Sequence, residues 1–291
     1  MTPQPELFLV KAFTDKSDGG NAAGVVIHAD AMAHARKQEI AAQVGLSETA
    51  FVSASEVGDV KVEFFTPNRQ IPHCGHATVA TFGLLLELTY VNEPGAVKES
   101  IVGPRQISLK EGKVYQAQLS PKYKTLAEAG VSPGDVAASV GLREEELVAE
   151  PILVSTGVWF LLLHLHDEAA LQNLKPNQAL IEAISENLNL VGYYAFTTAS
   201  NAADASARMF APSYGIPEES ATGMAAGPLA CYLYDYLQYG VSHYNIHQGY
   251  LMKPPSPSQI EVELQLNEQG EIIGLQVGGS VVVVRQLELA D

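Results

Sequence analysis

Apolar and polar positions along this chain recur in short runs of two kinds. Segments 7–13, 24–28, 49–53 and 60–66 are short, apolar-rich and β-branched, and they predict strands. Residues 31–44 carry Met32, Ile40 and Val44 among polar neighbours and predict an amphipathic helix. Residues 75–88 are apolar nearly all round, which predicts a buried helix. Strands are expected again at 107–109 and 114–119, followed by a linker over Ser120, Pro121, Lys122, Tyr123 and Lys124.

The second half repeats this alternation. Helices are expected at 133–140 and 143–147 around Gly141, with Ser132 as N-cap and Pro133 in the tolerant first turn. Residues 151–165 form one long apolar strand signal, 178–187 a helix, and 192–198 and 207–210 strands. A second mostly apolar helix covers 222–237. Pro228 lies beyond its first turn, so a later start or a kink is expected there. Strands at 262–266 and 281–284 are joined through Gly270 and the Gly278-Gly279 pair.

Sliding the chain by 144 residues lays Ala77-Thr78 over Ala221-Thr222 and Phe8-Leu9-Val10 over Ile152-Leu153-Val154. Five of fourteen positions between 77–90 and 221–234 are identical. This points to a duplicated chain. The expected division is a first domain over 1–121, completed by about 280–291, and a second over 122–279. The fold class is α+β, with short strands arranged barrel-like around one buried helix per half.

Composition narrows the function classes. Asp and Glu number 33 against 17 Lys and Arg, a formal net charge of −16. A nucleic-acid partner or an anionic membrane surface needs a basic face, so neither is expected. Two cysteines, Cys74 and Cys231, are too few for a disulfide framework or a four-cysteine zinc site. Residues 1–6 show no charged leader before an apolar core, and a cytoplasmic location is expected. The glycines between Gly19 and Gly24 lack the spacing of a nucleotide loop.

The candidate chemistry clusters at two helix starts, Cys74-Gly75-His76-Ala77-Thr78 and Ser220-Ala221-Thr222-Gly223. A helix N-terminus exposes unpaired N–H groups and partial positive charge, and small residues let a carboxylate approach. Glu48 lies between apolar Leu46 and the Ala50-Phe51 pair. Burial disfavours the charged form of a carboxylate, which suits a group that both takes and returns a proton. His73 and His76 flank Cys74 with no fourth ligand in view, so no metal is expected. A helix start can lower a thiol's pKa, so Cys74 reads either as an activated thiol or as a small buried core residue, whereas Cys231 lies within a helix and reads as core.

Several blocks in order resemble one family. They are Gly20-Asn21-Ala22-Ala23-Gly24-Val25-Val26, Leu46-Ser47-Glu48-Thr49-Ala50-Phe51, Phe65-Thr66-Pro67 with Cys74-Gly75-His76-Ala77-Thr78, and Gly215-Ile216-Pro217-Glu218-Glu219-Ser220-Ala221-Thr222-Gly223. Val154-Ser155-Thr156-Gly157 and Gln248-Gly249 add to them. Together they resemble the PhzF-like (phenazine biosynthesis) isomerases, relatives of diaminopimelate epimerase, over essentially the whole chain. The resemblance implies two similar α+β domains with the active site between them, and a homodimer. It implies cofactor-independent proton transfer on a small carboxylate-bearing substrate. Glu48 would move the proton, His76 would assist, and Glu219 would be the acid of the second half. Asn21, Cys74, Gly75, Ala77, Thr222, Gly223 and Met224 would bind substrate. This chain departs from the family pattern at Ala22, Glu219, Ser220 and Met224; Ser220 falls roughly where epimerase relatives place a second cysteine. Two other readings stay open: a non-catalytic ligand-binding or interaction protein on the same fold, and an amino-acid epimerase using Cys74.

Overall fold

The computed structural model describes residues 3–200 and 202–289. The chain divides into two units, Met1–Ala117 with Gly278–Asp291, and Gln118–Val277. The first contains β1 (Glu6–Ala12), β2 (Asn21–Ile27), α1 (His34–Val44), β3 (Thr49–Ser53), β4 (Val60–Phe65), β5 (Gln70–Ile71), α2 (Gly75–Glu87), β6 (Gly95–Glu99), β7 (Arg105–Lys110) and β8 (Lys113–Leu119). The second contains β9 (Lys122–Thr125), α3 (Leu126–Ala129), α4 (Pro133–Ser139), β10 (Ile152–Ser155), β11 (Trp159–His164), α5 (Glu168–Gln172) and α6 (Gln178–Leu188). It continues with β12 (Leu190–Thr197), β13 (Ala205–Ala211), β14 (Ile216–Glu219), α7 (Gly223–Asp235), β15 (His243–Gln248), β16 (Ser258–Leu266) and β17 (Ile272–Gly279). The final strand, β18 (Val281–Leu287), returns to the first unit, where it pairs antiparallel with β1.

Both units run through the same pairing pattern. In the first, β1–β2 is antiparallel, β2–β3 parallel, β3–β4 antiparallel and β4–β6 parallel. In the second, β10–β11 is antiparallel, β11–β12 parallel, β12–β13 antiparallel and β13–β15 parallel. The fold is α+β, a mixed sheet wrapped on one central helix in each unit.

The central helices are apolar all round because they are covered all round. In α2 every residue from His76 to Leu85 is buried, and the helix packs on β1, β2, β3 and β18. In α7 every residue from Ala225 to Leu233 is buried, against β10, β11 and β16. On the outer face of the first sheet, α1 brings Ile40 and Ala41 onto Leu7, Val26, Phe51 and Phe65. With helices on both sides, β2 is buried almost throughout instead of alternating. Among the described residues, no helix is long and apolar enough to cross a membrane.

Several expectations change. The helix expected from residue 31 starts at His34. The expected linker over 120–124 is half strand, since β9 pairs with β10. The single signal at 151–165 is a hairpin, with Thr156, Gly157 and Val158 turning β10 into β11. Strands β5, β6 and β17 lie where none was expected. Helix α7 starts at Gly223, not later, and carries Pro228 in its interior. Proline has no N–H, so the carbonyl of Met224 loses its usual helical donor. The 144-residue offset is also corrected at the helices. Their first residues, Gly75 and Gly223, are 148 apart (75 against 223), about one turn more. The N-caps of the two helices are Cys74 and Thr222.

Candidate active site

In the first unit the site is built where α1, β3 and α2 meet. Gly45 ends α1 in the left-handed region at φ 67°, turning the chain toward Glu48. The Gly24 N–H then donates to the Glu48 carbonyl at 3.1 Å, tying that backbone to β2. A Cβ on Gly24 would stand 3.0 Å from Thr49 Oγ1, so glycine is what lets the parallel strands approach here. Asn21 opens β2 and is buried.

Cys74 is the N-cap of α2 in an extended conformation, and its side chain makes no capping bond. Its carbonyl instead accepts from Thr78 twice, from N–H at 3.2 Å and from Oγ1 at 2.7 Å. The Gly75 carbonyl accepts from Gln116 Nε2 at 2.8 Å. The thiol turns to His76, with Sγ 3.6 Å from Nδ1. The other ring nitrogen, Nε2, lies 3.2 Å from Glu48 Oε2, an ion-pair contact without hydrogen-bond geometry. The side chains of His76 and Glu48 are 5% and 13% exposed. Thiol, imidazole and carboxylate thus form a compact cluster beside the first turn of α2. Ala77, fully buried, supplies only backbone and bulk there.

Behind this cluster lies a group that sequence reasoning missed. Lys98 of β6 is fully buried. Its Nζ donates to Thr78 Oγ1 at 2.9 Å, lies 3.4 Å from His73 Nδ1, and sits 5.2 Å above the Phe64 ring. Burial lowers its pKa to about 8; Cys74 opposes the shift and Arg105 adds to it. His73 is lowered to about 4, by burial first and then by Lys98 and Arg105. His73 therefore belongs with Lys98 and Phe64, and Glu48 takes the place beside Cys74 and His76. Cys231, by contrast, is core, its thiol pushed up to about 12 by burial and then by Asp235.

The second unit holds Glu219 at the end of β14. Its Oε2 accepts from Thr222 Oγ1. Gln248 of β15 clamps the same corner: its Nε2 donates to the Glu219 carbonyl at 2.8 Å and to Thr222 Oγ1 at 3.1 Å. Its Oε1 accepts from the Thr222 N–H at 3.0 Å and from the buried Tyr194 hydroxyl at 2.9 Å. Burial and the Glu219 charge both push the Tyr194 phenol well above its usual range, so it stays a donor. The neighbouring Glu218 is committed elsewhere, in a two-pronged pair with Arg208 at 2.8 Å on each prong. The Thr222 hydroxyl donates to Glu219 and accepts from Gln248, and as N-cap of α7 it makes no side-chain capping bond; Gly223 and half-buried Met224 follow it as the first helical residues.

His164 stacks on Phe196, His247 stacks on Tyr250, and His243 meets Glu263 at 2.9 Å.

Known proteins resemble this chain along most of its length. Residues 10–286 match the family described as phenazine biosynthesis-like protein, PhzC–PhzF. A relative named uncharacterized isomerase from Deinococcus radiodurans is 32% identical over 289 residues, covering 95% of this chain and 92% of its own. The uncharacterized isomerase YddE of Salmonella typhimurium is also 32% identical, with 79% of each chain covered. A crystal structure of a Bacillus anthracis phenazine biosynthesis protein of the PhzF family has a TM-score of 0.88 at 26% identity, covering 99% of this chain and 100% of that one. A hydroxyproline epimerase from Agrobacterium vitis shares the fold at a TM-score of 0.55 and 13% identity, covering 99% of this chain and 93% of its own.

Proposed function

Because the chain belongs to the phenazine biosynthesis-like family, we propose that it is a cofactor-independent isomerase that moves a proton between carbons of a small carboxylate-bearing metabolite. Relatives named as isomerases along most of their length support the class. The observation that carries the reaction type is the 3.2 Å contact between Glu48 Oε2 and His76 Nε2, nearly shut off from water.

Glu48 takes the proton from a carbon activated by the substrate's own unsaturation or carboxylate. The electrons left behind form an enolate-like intermediate. The N–H groups at the start of α2 stabilise its charge, since helix geometry gives them no partner within the helix and they lie at its positive end. Glu48 then returns the proton to a second carbon, and no atom is gained or lost. His76 stays in contact with the carboxylate through both steps and compensates its changing charge. Asn21, Cys74, Gly75 and Ala77 are proposed to bind substrate in the first unit, and Thr222, Gly223 and Met224 in the second. Glu219 is proposed as the second acid.

The test is solvent deuterium incorporation into a panel of small unsaturated and hydroxy carboxylates. Exchange that disappears in Glu48→Gln supports the reading, and full exchange in that variant overturns it. The 3.6 Å Cys74–His76 contact favours one rival, an epimerase with the thiolate as base. That rival predicts no exchange in Cys74→Ala, whereas the Glu48 mechanism predicts that exchange persists.

A further inference from the structure

Glu48, Cys74 and His76 each place one donor atom within 4.8 Å of the other two. A carboxylate, a thiol and an imidazole are also a donor set suited to a borderline-soft cation. We propose that this trio is a binding site for a divalent cation of the zinc type, and that its occupancy blocks proton transfer. The binding rests on geometry alone; the block rests on the isomerase reading above.

The distances favour a tetrahedral ion. Bonds of about 2.3 Å to sulfur and about 2.0–2.1 Å to nitrogen, at a tetrahedral angle, put the two donors about 3.6 Å apart. Cys74 Sγ and His76 Nδ1 stand 3.6 Å apart. The third edge closes by rotation of the Glu48 side chain, which at 13% exposed is the least enclosed of the three. Three protein ligands leave a fourth position for water, the pattern of an open rather than a closed zinc site.

The backbone already holds two of the ligands still. Cys74 and His76 both lie at the start of α2, and the Cys74 carbonyl is pinned twice by Thr78. His73, adjacent in sequence, faces Lys98 and so stays outside the set. Bound metal would take the Glu48 lone pair that the isomerase reading needs as a base.

Metal-free protein is titrated with cobalt(II), then with zinc(II). The expected result is a thiolate-to-cobalt charge-transfer band in the wild type and in Cys231→Ser, lost in Cys74→Ser. Serine is itself a good N-cap, so Cys74→Ser should keep α2 intact. Zinc should displace cobalt, and Glu48→Gln should weaken zinc binding by at least about tenfold. Absence of the band in the wild type, or its survival in Cys74→Ser, overturns the site. Unchanged zinc affinity in Glu48→Gln overturns Glu48 as a ligand. Zinc should also abolish deuterium exchange and a chelator restore it; exchange that continues at saturating zinc overturns the block. If metal-free protein exchanges nothing, the isomerase reading fails while the cobalt band still decides the site.

Discussion

His76 Nε2 lies 3.2 Å from Glu48 Oε2, although the two residues come from the start of a helix and from the turn before a strand. Cys74 Sγ lies 3.6 Å from the other ring nitrogen, Nδ1. Both donors therefore lie close to one imidazole, within 4.8 Å of each other as well as of the ring nitrogen. Glu48→Gln keeps the shape and removes the base. Turnover should fall by roughly 10²–10⁴-fold, the usual worth of a positioned acid–base group. The measurement is exchange rate against substrate concentration, with circular dichroism showing an intact fold. A loss confined to KM would mean that Glu48 only binds.

The Lys98–His73 pair makes a pH prediction whose sign follows from burial. Lys98 has a folded pKa of about 8, against 10.5 for a lysine in water. Between these values the unfolded chain holds a proton that the folded one has released, so stability rises as pH climbs through this window. Below about pH 8 the buried lysine is charged in both states and its desolvation works fully against the fold. Lys98→Met should therefore raise Tm at pH 7, and the gain should shrink as pH goes from about 8 to about 10.5. His73 behaves alike at the acid end. With a folded pKa of about 4 against 6.5, its stabilising share is complete above 6.5 and lost as pH falls toward 4. His73→Phe should flatten the acid limb of a Tm-versus-pH curve, and an unchanged limb would disprove the assignment.

The two central helices were legible because helices covered on every side must be apolar on every side, and 75–88 and 222–237 both read that way. Strand β17 was not, because Gly274, Gly278 and Gly279 look like turn residues. The structure gives Gly278 a different reason: a Cβ there would stand 1.9 Å from the Val114 carbonyl. Lys98 sits between Val97 and Glu99 in a strand of alternating burial, and nothing local marks that lysine as the inward one. Glu48 was legible through its apolar neighbours, whereas its contact with His76 depends on how α2 packs beside β2 and β3. Gln248 belonged to a recognisable block, but its role as a clamp is a long-range arrangement that spacing does not encode.

Gly83 is where α2 crosses the last strand. A Cβ on it would stand 2.5 Å from Cβ and Cγ1 of Val281. Gly83→Ala would normally favour a helix interior by about 1 kcal/mol. Here the collision should outweigh that gain and destabilise by about 1–3 kcal/mol, the usual range for overpacking. Val281→Ala removes the opposing side chain, so the double variant should recover much of the loss. Urea unfolding of the two single variants and the pair gives the coupling directly. Additive effects would show that helix and strand do not meet as tightly as this.

Gln248 fills four hydrogen bonds at the corner that presents Glu219. Replacing it with leucine keeps most of the volume and removes all four. The Tyr194 hydroxyl and the Thr222 N–H, both held by Oε1, would be left in a buried setting. Each buried polar group without a partner costs about 1–3 kcal/mol, so Gln248→Leu should lose several kcal/mol in urea unfolding. Gln248→Glu separates stability from function. It keeps both acceptor bonds, but it replaces the amide that donates to the Glu219 carbonyl and to Thr222, and it sets a second carboxylate beside Glu219. If Glu219 contributes to turnover, this variant should lose activity further than its stability loss explains, and the loss should deepen as pH rises and both carboxylates ionise. Exchange rates measured from acid to neutral pH decide the matter: a profile that stays parallel to the wild type would remove Glu219 from the reaction and leave it a structural acid.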